Sequence, residues 1–407
     1  MTLRNGLGRW LAGAFALLLL LAFSPRASAE DMKTKIDLYG FAMLDMGYDF
    51  NQNDPDWFDT MRPTKLPAFE DEFGHDGRFY SGVRQSRLGV KTWTPTKLGE
   101  LYTIFEFEMF GVGVDAGQTT IRLRHAYGEL ANFGAGQTWS PFMDIDVFPN
   151  SVEYWGPNGM AFFRNVQVRY YFMKGDDEFV VALERPGASA DGGVASDFVT
   201  TEGLQGRFPA PDLSGHYRMT RPWGHVQFAG IVRYMKIDDP DPVPFDLSDS
   251  LVGWGVNVST NVKLGTDKKD TLRASVVVGE GVQNYMNDAP VDVGPTATGD
   301  PTRPIEGEAL PLLGLVLFYD KTWSDKFSSS IGYSYLDIDN SDLQAPDAFA
   351  TGQYALVNLL YYPVDNVMLG PELQWGRREN NSDGWAVNDF RIQFSARYKF
   401  GHSWGGQ

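Results

Sequence analysis

The stretch Asp389-Phe390-Arg391-Ile392-Gln393-Phe394-Ser395-Ala396-Arg397-Tyr398-Lys399-Phe400 alternates strictly between polar or charged and apolar residues. A two-residue period is that of a β-strand, whose successive side chains point to opposite faces. Phe390, Ile392, Phe394, Ala396, Tyr398 and Phe400 share one face; Asp389, Arg391, Gln393, Ser395, Arg397 and Lys399 share the other. Such a strand suits a sandwich with its charged face in bulk water. It equally suits a wall with lipid on one side and water on the other, and the rest of the chain decides between them.

The same period recurs upstream. Ile36, Leu38, Ala42, Leu44, Met46, Tyr48 and Phe50 oppose Asp37, Tyr39, Asp45 and Asp49, while Leu88 and Val90 oppose Gln85, Arg87 and Lys91. Ile121, Leu123 and Tyr127 are expected opposite Arg122, Arg124, Ala126 and Gly128, and Val166, Val168 and Tyr170 opposite Asn165, Gln167 and Arg169. Val226, Phe228, Val232 and Tyr234 oppose His225, Gln227 and Arg233, and Leu272 to Val278 place Arg273 and Ser275 on the polar side. About sixteen such segments are predicted, each near the roughly 9–11 residues that a tilted membrane strand needs. The first lies near residues 35–50 and the last near 386–400. Connections alternate long and short, as in an up-and-down antiparallel barrel with its short turns and both termini on the periplasmic side. Helical periodicity appears nowhere at length, and no second domain is visible.

Residues 1–29 carry Arg4 and Arg9, an apolar run from Trp10 to Phe23, and Ala27-Ser28-Ala29, which reads as a cleaved secretory signal. Residues 30–407 form the expected all-β transmembrane barrel. The 407 residues hold no cysteine, so neither disulfides nor thiol chemistry support it. The net charge of −17 argues against nucleic acid as a partner. Its acidic residues crowd the irregular stretches, whereas arginines recur inside the alternating runs.

Energetics then separate barrel from sandwich. An arginine facing lipid near the midplane costs about 2–4 kcal/mol. Arg87, Arg122, Arg124, Arg169, Arg233, Arg273, Arg391 and Arg397 all fall on the polar parity. Facing lipid together, they would exceed the roughly 5–15 kcal/mol that stabilises a typical fold. That face therefore needs water, and the opposite face takes the lipid. A barrel of this size is expected to offer a channel rather than a packed core.

Gln85-Ser86-Arg87-Leu88-Gly89-Val90-Lys91, Arg124-His125-Ala126-Tyr127-Gly128-Glu129-Leu130 and Gly136-Gln137-Thr138-Trp139-Ser140-Pro141-Phe142-Met143-Asp144, in this order, resemble porins of the DcaP type. The resemblance implies a homotrimer of sixteen-stranded barrels in a Gram-negative outer membrane, among lipid and lipopolysaccharide. It implies passive diffusion of small hydrophilic solutes, with a preference for organic anions such as dicarboxylates. It further implies that the loop after Trp139 folds into the lumen as a constriction. Two features depart from the pattern: only Glu30 to Thr34 stand between the signal and the first strand, where some members carry a coiled coil, and the chain continues past Phe400.

The expected eyelet sets Arg87, Lys91, Arg122 and Arg124 against Asp144, Asp146 and Glu153 of the inserted loop, with Arg169, Arg233, Arg273, Arg391 and Arg397 along the rest of the pore. Opposed rows of charge would make a transverse field. An adhesion or structural role for the loops is the alternative, and a barrel enzyme a lesser one. His75, His125, His216, His225 and His402 stand singly, with no motif joining one to a nucleophile and no metal-ligand spacing. No catalytic residue, metal or cofactor is therefore expected.

Overall fold

The computed structural model describes residues 33–405; the signal expected over 1–29 lies outside them. Sixteen strands close into one antiparallel barrel. In chain order they are Lys35–Asp49, Arg87–Thr96, Gly99–Phe110, Thr119–Leu130, Phe133–Trp139, Arg164–Met173, Asp177–Glu184 and Asp212–Arg221. The second half runs Gly224–Asp238, Asp249–Leu264, Asp270–Glu280, Pro311–Ser324, Phe327–Ile338, Phe349–Asn358, Val367–Asn380 and Ala386–Trp404. Each pairs with its chain neighbours, and closure comes from Lys35–Asp49 against Ala386–Trp404, with Ile36 opposite Trp404 and Asp49 opposite Arg391. The residues past Phe400 thus extend the closing ladder. Closure leaves none of these sixteen barrel strands as an edge, which a wall in lipid requires.

Alternation sorts the two faces of the last strand as its sequence predicts. Phe390, Ile392, Phe394, Tyr398 and Phe400 are exposed on the outside, while Asp389, Arg391, Gln393 and Ser395 are buried inside. The strand Thr119–Leu130 does not keep the expected parity. Glu106 pairs with His125 but Phe107 with Leu123, so Arg124 is an extra residue in its strand. A bulge of this kind shifts every later side chain to the other face. Tyr127, expected outside with Leu123, is buried in the lumen, and its hydroxyl donates to Glu129 at 3.0 Å. The adjacent polar pair Arg124-His125 is the trace of this bulge in the sequence.

The lumen departs further from expectation, because much of it is packed rather than wet. Loop residues Phe142, Met143, Val147 and Met160 form an apolar cluster with Ala229, Ile231, Val277, Leu312, Val316, Phe318, Leu336 and Ile338 of the wall. Met61 and Leu66 from the first long loop join it, as do Val282, Tyr285 and Met286 from the loop after Glu280. Three loops enter the barrel, where one was expected. Gly159 shows how closely: a Cβ there would sit 2.1 Å from the Tyr335 carbonyl oxygen and 2.7 Å from that of Leu315. Its N–H donates to Ser334 Oγ at 2.9 Å. Open space is left on the side of the first strands and the last.

Candidate functional site

A cavity of about 560 Å³ remains between that wall and the inserted loops. Phe41, Met43, Arg87, Arg122, Arg124 and Arg397 line it from the wall; Phe148, Tyr154, Trp155 and Phe162 from the loop, with Arg164 at the loop's end. It lies near mid-height, since Arg87 is opposite Phe41 and Arg397 opposite Met43 in a strand that runs from Lys35 to Asp49.

Two carboxylates organise the guanidiniums. Glu106 and Glu108, on the polar parity of Gly99–Phe110, face into the lumen beside Arg87 on one neighbouring strand and the bulged Arg124 on the other. Arg124 Nε donates to Glu106 Oε1 at 2.6 Å, and its Nη1 donates to Glu108 Oε2 at 2.6 Å. Glu108 also lies 3.4 Å from Arg87 Nη2, 3.7 Å from Arg122 Nη1 and 3.6 Å from Arg164 Nη2, and it accepts from the Tyr154 hydroxyl. Tyr39 donates to Glu106 Oε2 at 2.7 Å across Gly89, where a Cβ would fall 2.4 Å from the Tyr39 ring. Tyr154 stacks on Phe110 at 3.8 Å, which fixes the loop's edge of the cavity.

Four guanidiniums meet the two carboxylates, and with Arg397 and Glu153, which also border the cavity, five cations stand against three carboxyl groups. The cations differ in access. The side chains of Arg124 and Arg164 are each 6 % exposed, whereas those of Arg87 and Arg122 are 24 % and 28 %. Arg397 is half-buried, 5.8 Å from the Phe41 ring, and has no ion-pair partner among the described residues. Arg87, Arg122 and Arg397 are therefore the cations a solute meets first.

Of the three loop carboxylates, Glu153 borders the cavity, whereas Asp144 and Asp146 lie away from it. Asp144 accepts from His225 Nε2 at 2.6 Å, Ser259 Oγ at 2.7 Å and Arg218 Nη1 at 3.3 Å, while Asp146 pairs with Arg218. Burial opposes ionisation of Asp144, yet His225, Arg218 and Ser259 hold its carboxyl below the usual range. These groups fasten the loop to the far wall. Glu153 curls back to accept from Gly156 N and from Met61 N at 3.1 Å. Its buried carboxyl is pushed up to about 7 by desolvation, against the pull of those backbone donors. Arg62 covers the loop from outside, its guanidinium carbon 4.2 Å from the Trp57 ring and 4.1 Å from that of Trp155, with Nε 2.8 Å from Asp288.

The remaining predicted basic residues divide. Arg233 and Arg391 are each 1 % exposed. Arg233 holds Asp212 at 3.1 Å and Asp292 at 2.8 Å; Arg391 Nη2 donates to Asp49 Oδ2 at 2.9 Å and to Phe58 O at 3.1 Å. Arg273 pairs with Asp320 at 2.7 Å and bonds the Asp146 backbone oxygen. These three brace loops against the wall instead of lining open space. Arg169 donates to Gln167 Oε1 at 2.9 Å and to the Trp139 carbonyl, and Lys91 lies 4.9 Å from the Tyr39 ring. Sequence reasoning missed Arg164, which follows a loop and precedes the first regular alternation, where parity carries no information. It also passed over Glu106 and Glu108 as partners, although their place opposite Phe105 and Phe107 marks them as lumenal.

The profile of the DcaP outer membrane protein family matches residues 24–400. No curated protein sequence matches the chain. Among solved structures, the outer membrane channel DcaP of Acinetobacter baumannii superposes with a TM-score of 0.74 at 22% identity, covering 93% of this chain and 99% of that one. The anion-selective porin from Comamonas acidovorans gives 0.57 at 11% identity, with 90% and 100% covered. The trimer form of OmpT from Vibrio cholerae gives 0.53 at 14%, with 90% and 99% covered. At these identities the likenesses show the porin fold, and the family match places the protein in the outer membrane of a Gram-negative cell. A closed sixteen-stranded barrel with loops folded into its lumen and a profile match over nearly all of its length establish that this chain belongs to the DcaP family of outer membrane channel proteins.

Proposed function

We propose that the protein is a homotrimeric diffusion channel for small hydrophilic anions, dicarboxylates among them, exported by the signal at residues 1–29. The observation that carries this reading is the cavity at mid-height, where five guanidiniums outnumber the carboxyl groups around them. A carboxylate arriving there accepts charge-assisted, bidentate hydrogen bonds from Arg87, Arg122 or Arg397. A dicarboxylate engages two of them and relieves their mutual repulsion. Arg124 and Arg164 shape the potential from behind, through the shared Glu108. Conduction needs release as well as capture, so the affinity is weak. The aromatic faces of Phe148, Tyr154 and Phe162 bound the other side and tolerate a carbon skeleton. The trimer form of the Vibrio cholerae relative supports the trimeric state.

The experiment is a reversal potential across a planar bilayer in a KCl gradient. Anion selectivity that weakens as salt rises and the Debye length shrinks is the expected result. Cation selectivity at every concentration would overturn the reading.

A further inference from the structure

The charge of the molecule is not spread evenly along the barrel axis. Asp71, Asp115, Asp197, Asp241, Asp342 and Asp383 are exposed, each on a different connection at the end of the barrel that carries the long loops, and none is in an ion pair among the described residues. The first long loop, residues 50–77, has seven carboxylates against Arg62 and Lys65. At the opposite end the short turns balance Lys97, Lys174, Lys268, Lys269 and Lys326 against Asp176, Asp267, Asp325 and Asp365, so that end is near neutral. Between the two ends lies the cationic waist formed by Arg87, Arg122 and Arg397. A solute from the long-loop side thus crosses a negative mouth before it reaches a positive constriction.

From this we infer that the pore is a bipolar junction: it rectifies ionic current, and divalent cations at the long-loop side control how readily anions reach the waist. The inference rests on the proposed anion-selective waist and adds the opposite sign of the mouth. Mobile cations concentrate in the mouth and mobile anions at the waist. A field pointing from mouth to waist drives both populations toward the boundary between them, so carriers accumulate and conductance is high. The reversed field sweeps both away and depletes the boundary. The effect requires the pore to be narrow on the scale of the screening length. This holds at about 0.01 M salt, where the Debye length is ~30 Å, and fails at 1 M, where it is ~3 Å. The same layout gives anion flux from the long-loop side an unusual dependence on Mg²⁺. Neutralising the mouth removes a repulsive barrier and leaves the buried-backed waist charged, so the flux rises.

The test uses the full-length channel in planar bilayers, with its sidedness read independently. The chain has no cysteine, so His75→Cys in the exposed first loop can be biotinylated and blocked by streptavidin from one side only. In about 20 mM KCl the current with the long-loop side positive should exceed the reverse current by ~2-fold or more, falling to parity in 1 M KCl. Millimolar Mg²⁺ on the long-loop side should remove most of the asymmetry, and the same addition on the short-turn side should not. The triple variant Glu70→Gln, Asp71→Asn, Asp76→Asn should lower the ratio while the reversal potential in a concentrated KCl gradient, where the mouth is screened, stays unchanged. A straight current–voltage relation in 20 mM KCl, together with anion selectivity, would overturn the junction and leave the proposed function standing. Cation selectivity in KCl gradients at every concentration would instead overturn the anion-selective waist on which the junction depends.

Discussion

Glu108 Oε2 accepts a hydrogen bond from Arg124 Nη1 at 2.6 Å, and the same carboxylate lies within 4 Å of Arg87, Arg122 and Arg164. One fully buried anion thus serves four cations. Glu108 limits how positive the cavity becomes and holds guanidiniums together that would otherwise repel. In Glu108→Gln the four lose their common counter-charge. Anion-over-cation permeability at low salt should rise, and the barrel should lose about 3–5 kcal/mol, as when one partner of a buried pair is removed. Reversal potentials and urea unfolding of the same preparation measure both quantities.

Arg397 and Arg124 should respond in opposite ways to truncation. Arg397 has no ion-pair partner among the described residues. Arg397→Ala should therefore shift selectivity toward cations with a stability change within about 1 kcal/mol, typical of a half-exposed site without a partner. Arg124→Ala strips both Glu106 and Glu108 of their closest cation and should destabilise by roughly 3–5 kcal/mol. Equal stability losses in the two variants would contradict this division.

Glu153 makes the inserted loop sensitive to pH. Its carboxyl is pushed up to about 7 by burial, from an ordinary value of 4.5. A group whose folded value is raised contributes stability that is complete below the unfolded value and is lost as pH rises through the folded one. The loop should therefore be held most firmly at acid pH and loosen between pH 4.5 and about 7. Open-channel current noise should grow across that window in the native channel. Glu153→Gln, neutral throughout, should flatten it.

Gly159 sets how closely the loop lies on the wall. A Cβ there would overlap the Tyr335 carbonyl oxygen at 2.1 Å, so Gly159→Ala must lift the loop toward the cavity. Overpacking of this kind costs about 1–3 kcal/mol. Single-channel conductance should fall, and an unchanged conductance would mean the loop absorbs the added methyl without moving.

The strand plan was legible because alternation is enforced by the solvent on either side. Lipid outside and polar groups inside leave a period of two in nearly every segment, which Phe390 to Phe400 shows most plainly. The plan failed at Arg124, where one added residue reverses the faces and Tyr127 turns inward. Arg233, Arg273 and Arg391 sit on the predicted side, yet they brace loops instead of lining open space. Lumenal parity is a property of the strand. What stands in front of a lumenal side chain is a property of the loops.

The amino-acid sequence alone determined the barrel, its approximate strand count, the family and the side of the wall on which each regular strand places its arginines, because periodicity and motif order are local. The tertiary structure decided which charges meet. Glu106 and Glu108 pair with the cavity arginines while Asp144 and Asp146 fasten the inserted loop elsewhere, and three loops rather than one enter the lumen. Those pairings join residues far apart in the chain, through strand register and close backbone approaches such as Gly159 on Tyr335, and no spacing along the sequence encodes them.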